Sequence, residues 1–407
     1  MMRILHTSDW HLGHVLYGHD RQDEQSAMLR QLVDIVRQAE PHALLVAGDI
    51  YHYSSPAAQT QRMYTEGLLA IRRACPTMPI IVMAGNHDSP SRLEVDSSLW
   101  HCLGVRVIGR IERTAEGAVD WSRHIVAVRN SDERAVGYVV AVPHVYPQNF
   151  PALTDDSPRQ ERQARFFQAL LDEVHRQNID GLPVVLAAHL AVSGSSSRGH
   201  DEGVGGMDWV PLSDLGQGYD YLALGHIHCP QDVPGSNGRA RYCGTPLAVS
   251  FDEDYPHEVS IVDVDCGKQP CIHTVALRPQ RPLRTIPAQP LPWTEALSVL
   301  ANYPPDAPDY IRLQVLTAGS YLPGDCMEQA RAAIGGKQCR LCLIKPVRKP
   351  AEPGAQDPAP GLSLEEFRQA TPLEIARRYY LEREGEPMSD ELVEMMREAM
   401  RRAKANE

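Results

Sequence analysis

The sequence predicts an α/β protein: a two-sheet sandwich flanked by helices, then a small α/β unit and a C-terminal helical pair. Three observations predict it. The first quarter of the chain alternates short apolar runs with amphipathic helical stretches. Beyond Gly104 the strands follow one another more closely. Motifs of Asp, His and Asn recur where the predicted strands end.

Taken in order, Arg3 to Thr7 reads as a strand and Asp23 to Ala39 as an amphipathic helix. Ala43 to Ala47 is a buried strand, Ala57 to Cys75 a second helix and Pro79 to Met83 a third strand. This βαβαβ order calls for parallel strands. Ile125 to Val128 and Val139 to Val142 are further strands, followed by a helix from Arg159 to Gln177. Val184 to Ala188 and Tyr221 to Leu224 are buried strands, while Arg241 to Cys243 and Val259 to Val264 alternate as antiparallel strands do. A Pro- and Arg-rich shift covers Leu277 to Trp293. After it come a helix (Trp293 to Ala301), a strand (Tyr310 to Leu316), a helix (Asp325 to Ile334) and a strand (Arg340 to Ile344). Lys349 to Gly361 has linker composition. Ser363 with Glu366 fits a capping box opening the first of two tail helices, which are separated near Pro387.

Composition narrows the function classes. A chain of 407 residues suits two or three domains, and 43% hydrophobic with 23% charged residues argues against wholesale disorder. No apolar run is long enough to span a bilayer, and the first residues lack the core of a secretory signal, so a cytoplasmic protein is expected. The nine cysteines are scattered. Cys339 and Cys342 have C-x-x-C spacing, but on a strand they should face opposite ways and serve as packing rather than as a zinc or redox pair. The net charge of −12 argues against a surface that grips nucleic acid everywhere. A DNA substrate would need metal cations, a local basic patch or a partner.

The motifs carry the chemistry. Asp9-Trp-His11, Gly48-Asp49, Gly85-Asn-His-Asp88, His189 and Gly225-His-Ile-His228 each follow a predicted strand, and α/β sheets gather ligand sites at such ends. Carboxylate, amide and imidazole suit Mn²⁺, Fe²⁺ or Zn²⁺. If these segments are extended, Asp9 with His11, and His226 with His228, each point two ligands at one centre. Each fragment alone is common in turns or cores. All of them together, in this order and at strand ends, point to a metal site.

The set resembles the calcineurin-like metallophosphoesterase superfamily. It is most similar to the SbcCD-type nucleases of double-strand-break repair, through His6-Thr-Ser-Asp-Trp-His-Leu-Gly13, Gly48-Asp-Ile-Tyr-His52, Gly85-Asn-His-Asp-Ser89, His189-Leu-Ala-Val-Ser193 and Leu224-Gly-His-Ile-His228. The resemblance implies two divalent ions, with Mn²⁺ expected. One would be held by Asp9, His11, Asp49 and His228, the other by Asp49, Asn86, His189 and His226. Asp49 would bridge them, as two adjacent dications need an anion between them. It leaves His87 as general acid or charge stabiliser, Asp88 as the group that could orient it, and His52 as a phosphate contact or an ordinary loop histidine.

The resemblance also implies an organisation: a nuclease domain (1–278), a capping domain that selects DNA ends (279–349), a linker (350–362) and a partner-binding helical segment (363–407). The expected function is a metal-dependent nuclease subunit, a 3′→5′ exonuclease on double strands and an endonuclease on single strands and hairpins. It would work as a homodimer within a heterotetramer with an SbcC-type coiled-coil ATPase. The same core also suits a phosphatase or phosphodiesterase acting on a small phosphoester, and a binding scaffold with a vestigial site is a further reading. Arg331, Lys337, Arg340, Lys345, Arg348 and Lys349 form a basic cluster that could meet DNA phosphates or merely face solvent. The apolar spacing of Leu392, Val393, Met395, Met396 and Met400 suits docking to a partner or folding back onto the chain.

Overall fold

The computed structural model describes residues 1–153, 158–199, 208–317, 322–348, 371–384 and 387–404. The first sheet is built from β1 (Met2–Thr7), β2 (Ala43–Val46), β3 (Ile80–Met83) and β4 (Val105–Ile108), which run parallel. The helices α1 (Gln22–Ala39) and α2 (Ala58–Ala74) cross between the first three strands. The second sheet contains β5 (Ile125–Arg129), β6 (Ala135–Val142), β7 (Val184–His189), β8 (Tyr221–Gly225), β9 (Gln231–Asp232) and β10 (Ala240–Tyr242). β11 (Glu258–Val264) and β12 (Cys271–Ala276) return to the first sheet and extend it beside β1. The strand orders are β12-β11-β1-β2-β3-β4 and β9-β10-β8-β7-β6-β5.

Alternation along each strand produces the layers. Ile4, Leu45, Ile81 and Met83 point inward from one sheet and Val139, Ala141, Val185 and Ala223 from the other, forming the dry interior of the sandwich. The opposite faces bury Leu5, Leu44 and Val46 under α1 and α2, and Val140, Leu186 and Leu222 under α3 (Arg162–Gln177).

Two expectations need correction here. The strand at Arg241 is antiparallel only to β9; it pairs parallel with β8, Leu222 opposite Ala240. The proline-rich stretch after Leu277 is not a mere connector, because Leu283–Leu291 forms a strand parallel to Tyr310–Thr317. These two and Arg340–Arg348 make a three-stranded sheet with the proline-containing strand at its edge, where missing N–H donors cost no ladder bonds. Two helices, Trp293–Ala301 and Cys326–Ala333, pack with it. Lys337 donates to the carbonyls of Leu300, Ala301 and Tyr303, so this member of the basic cluster caps a helix end. Cys339 and Cys342 are free thiols packed in different apolar clusters, as their spacing predicts.

The chain divides into two compact units. The first holds 1–315 and 322–346, so the three-stranded sheet shares a unit with the sandwich; the second holds 316–321 and 347–407. Within the first unit, Arg21 is buried against Glu24 at 3.0 Å and donates to the Ala248 carbonyl. Tyr310 donates 2.6 Å to the other Glu24 oxygen, tying the small sheet to α1. Glu24→Ala strands a buried guanidinium, and an expected loss of about 3–5 kcal/mol follows from breaking one side of such a pair. Urea unfolding measures it, and a loss below about 1 kcal/mol would show that Arg21 is satisfied without its carboxylate.

The second unit contains the helices Pro372–Glu384 and Asp390–Lys404. The first of these opens with a reciprocal cap between Thr371 and Glu374. The Ser363 capping box and the linker at 350–362 lie outside the described residues. Among the described residues, no helix is long and apolar enough to cross a membrane.

Candidate metal centre

Every predicted metal-binding side chain lies at the carboxyl end of a parallel strand, from both sheets. Asp9 and His11 follow β1, Asp49 follows β2, Asn86 and His87 follow β3, His189 ends β7, and His226 and His228 follow β8. Close approach of these ends depends on glycines. A Cβ on Gly48 would lie 2.1 Å from the His189 ring, and one on Gly85 would lie 2.1 Å from Asp49 Oδ1.

The backbone there is not extended. Asp9, His11, Asp49 and His226 all have positive φ (52°, 44°, 50° and 99°), a conformation that non-glycine residues adopt mainly where surrounding structure enforces it. This overturns the expectation that a two-residue period aims His226 and His228 at one centre. With His226 in the left-handed region the alternation breaks, and the two rings part. His226 Nδ1 lies 2.9 Å from Asn86 Oδ1, whereas His228 Nε2 lies 3.1 Å from His11 Nε2.

Two carboxylate-containing clusters result. Asp9, His11 and His228 each offer a ligand atom within 4.8 Å of one another, and so do Asp9, Asp49 and His189. Asn86 Oδ1 joins the second cluster at 3.0 Å from His189 Nε2. Asp49 faces both, with Oδ2 3.8 Å from His11 Nε2 and Oδ1 3.6 Å from His189 Nε2. Burial raises the Asp9 carboxyl, and the Asp49 charge beside it adds to this against the pull of His189 and His228. Burial pushes Asp49 the same way, but His189, His11 and His87 outweigh it and hold it well below the usual carboxylate range. His189 would be lowered by burial, yet Asp49 and Asp9 lift it to about 9. Buried carboxylates that draw protons onto neighbouring imidazoles make a donor set that a dication satisfies better, releasing those protons as it binds. The residues therefore fit a dinuclear metal site.

The remaining predicted residues separate by role. His87 lines the cavity, its Nδ1 is 2.9 Å from the His52 carbonyl, and its backbone N–H donates to Asp49. Asp88 is buried and accepts from the backbone N–H groups of Ile50, Tyr51 and Gly85. These bonds clamp the β2 and β3 loops together, and the group that orients the His87 ring is the His52 carbonyl instead. The His52 ring lies 3.4 Å from His11 and lines the same cavity.

Sequence reasoning missed two residues. Glu253 accepts from His228 Nδ1 at 2.9 Å and from Thr245 at 2.9 Å, fixing which ring nitrogen faces inward. Burial would lower His228, but this carboxylate outweighs it and raises the ring. A glutamate in a loop outside the motifs carries no sequence signal. His144 lines the cavity, with its ring stacked 6.3 Å from that of His226. It follows β6 by two residues, so the strand-end rule that found the other residues reaches it as well. Glu253→Ala is expected to weaken Mn²⁺ affinity about 10- to 100-fold, the usual cost of losing a carboxylate behind a ligating histidine. Titration calorimetry tests this, and unaltered affinity would remove Glu253 from the site.

A sandwich with paired Asp/His clusters at its strand ends is the architecture of a metal-dependent phosphoesterase, and residues 2–230 match the family model described as calcineurin-like phosphoesterase. Residues 279–384 match a second model, described as type 5 capsule protein repressor C-terminal domain. SbcD, the nuclease subunit of SbcCD, from Rhodobacter capsulatus is 35% identical over 320 residues, 75% of this chain and 77% of its own. Its namesake from Bacillus subtilis is 34% identical over 287 residues (69% and 71%), and that from Escherichia coli K12 is 28% identical over 309 (74% and 70%). The chain belongs to the SbcD family of nuclease subunits.

Proposed function

We propose that the chain is the metal-dependent nuclease subunit of an SbcCD-type complex, trimming double-stranded ends 3′→5′ and cutting single strands and hairpins. The observation that carries this is buried Asp49 turned to a histidine on either side, with His87 beside it at the cavity. In this reading Asp9, His11, Asp49 and His228 hold one ion, and Asp49, Asn86, His189 and His226 hold the other, both Mn²⁺. The pair supplies an activated water and a clamp for the phosphate. The chain's own groups do the rest. With Nδ1–H of His87 on the His52 carbonyl, its Nε2 is the atom that passes a proton to the leaving oxygen. His52 contacts a phosphate oxygen from the same wall.

Residues 1–278 form the nuclease domain of this proposal and 279–349 the cap. The terminal helices dock on the coiled-coil ATPase, in the cytoplasm at the nucleoid. Leu392 and Met395 are exposed on Asp390–Lys404 and suit a helix laid in a groove. Val95, Leu99 and Leu103 are exposed at four-residue intervals, a stripe suited to a second copy of the chain. Leu99→Glu is expected to shift a dimer to monomer in light scattering, and an unshifted dimer would place the interface elsewhere.

The test compares Mn²⁺-dependent cleavage of a linear duplex with hydrolysis of bis-p-nitrophenyl phosphate, with and without the ATPase and ATP. Duplex cleavage increased by partner and ATP supports the nuclease. Rapid hydrolysis of the small diester without DNA cleavage in any condition moves the protein to small substrates.

A further inference from the structure

The cavity over the metal centre encloses about 870 Å³, within the roughly 300–1,000 Å³ of small-molecule pockets, enough for extruded nucleotides but not for a length of duplex. Among the described residues that line it there is no Lys or Arg, and Asp208 and Asp252 add negative charge. Away from the ions, this wall repels a phosphate backbone. Its rim is aromatic. Among the described residues, the aromatic side chains more than a third exposed are Tyr17 (50%), Tyr53 (54%), Tyr146 (51%) and Trp209 (39%). All four belong to this rim. Tyr17 and Tyr146 line the cavity, and Trp209 lies between the lining residues Asp208 and Val210. Tyr53 packs edge-on to His52 at 4.6 Å.

Tyr17 is held outward at a conformational cost. Val15–Leu16 and His19–Asp20 form a hairpin whose two-residue loop is Tyr17-Gly18, with φ of 47° and 84°. That is the pattern of a type I′ turn, whose first position favours Asn, Asp or Gly. A bulky, half-exposed ring in the left-handed region is unfavourable for folding alone and suits a contact surface.

We infer that these rings form a stacking rim for unpaired bases on either side of the scissile phosphate. The strand that enters the site is thus locally single, a frayed end or a loop. Aromatic faces hold bases whatever the sequence, and base faces become available only where pairing and stacking are broken. The inference rests on the nuclease reading and specifies the form of DNA the site takes.

The test uses the full chain with Mn²⁺ and three substrates: a single-stranded oligonucleotide, the same strand with abasic positions flanking one cleavage site, and bis-p-nitrophenyl phosphate. For Tyr17→Ala and Tyr146→Ala, kcat/KM on the single strand, divided by that on the small diester, is expected to fall roughly 5- to 100-fold per ring. Tyr→Phe at each position should restore it, and the abasic strand should show little difference between wild type and variants. An unchanged ratio, or an equal penalty on the abasic strand, overturns the stacking rim. Variants that cut normally but fail to assemble with the ATPase overturn it in favour of a protein interface. Wild-type protein that hydrolyses the diester and cuts no DNA overturns the nuclease reading itself.

Discussion

Asp49→Asn is expected to weaken Mn²⁺ binding more than 100-fold, beyond the roughly 10- to 100-fold cost of losing a residue behind a ligand. Cleavage at saturating Mn²⁺ should also fall by at least the roughly 10²–10⁴-fold that proton-transfer groups contribute. The substitution keeps an oxygen to accept the His87 backbone N–H, now at 2.9 Å, so the β2 and β3 loops should stay together. What disappears is the negative charge between His11 and His189, and with it the screen between two dications. Calorimetry would read two sites in wild type and, at most, one weak site in the variant. Two tight sites in Asp49→Asn would mean that Asp9, which belongs to both clusters, is the bridge instead.

His87→Ala should behave differently. It touches the cavity but lies outside both carboxylate-containing clusters, so Mn²⁺ binding is expected to persist while kcat on DNA falls about 10²–10⁴-fold. The leaving group separates its two possible roles. A deoxyribose oxygen needs a proton to depart, whereas p-nitrophenolate leaves without one, so a general acid should matter much less for bis-p-nitrophenyl phosphate. Equal losses on both substrates would assign His87 to stabilising charge on the phosphate.

The legibility of this protein in its sequence was uneven, for physical reasons. Helices α1 and α2 and strands β1 to β3 were readable because each buries one face or both, and burial writes periodicity into sequence. The strand Leu283–Leu291 was not, because three of its residues are exposed and its prolines suit only an edge. The parallel pairing of β10 was equally hidden: alternation tells which face is buried, never which neighbour supplies the hydrogen bonds. Asp88 was recognised as important but given the wrong work. A carboxylate next to a catalytic histidine looks like its partner, and only coordinates reveal three backbone N–H groups aimed at it. Glu253 was out of reach because His228 meets it only through the folding of the 25 residues of chain between them.

By itself the sequence determined the fold class, the chemistry of the site and which residues could serve it. Strand-end Asp, Asn and His are local features, and glycines beside them mark the sharp turns. The tertiary structure decided how those residues are shared out. Four of them adopt positive φ, so neighbours in sequence part company: His226 joins Asn86 and His189, and His228 joins His11. Two sheets whose strand ends converge bring residues more than 200 positions apart within hydrogen-bond distance, as in His226 N–H to Asp9 at 3.1 Å. Pairing over that range is set by the packing of the two sheets against one another, a property no local pattern encodes.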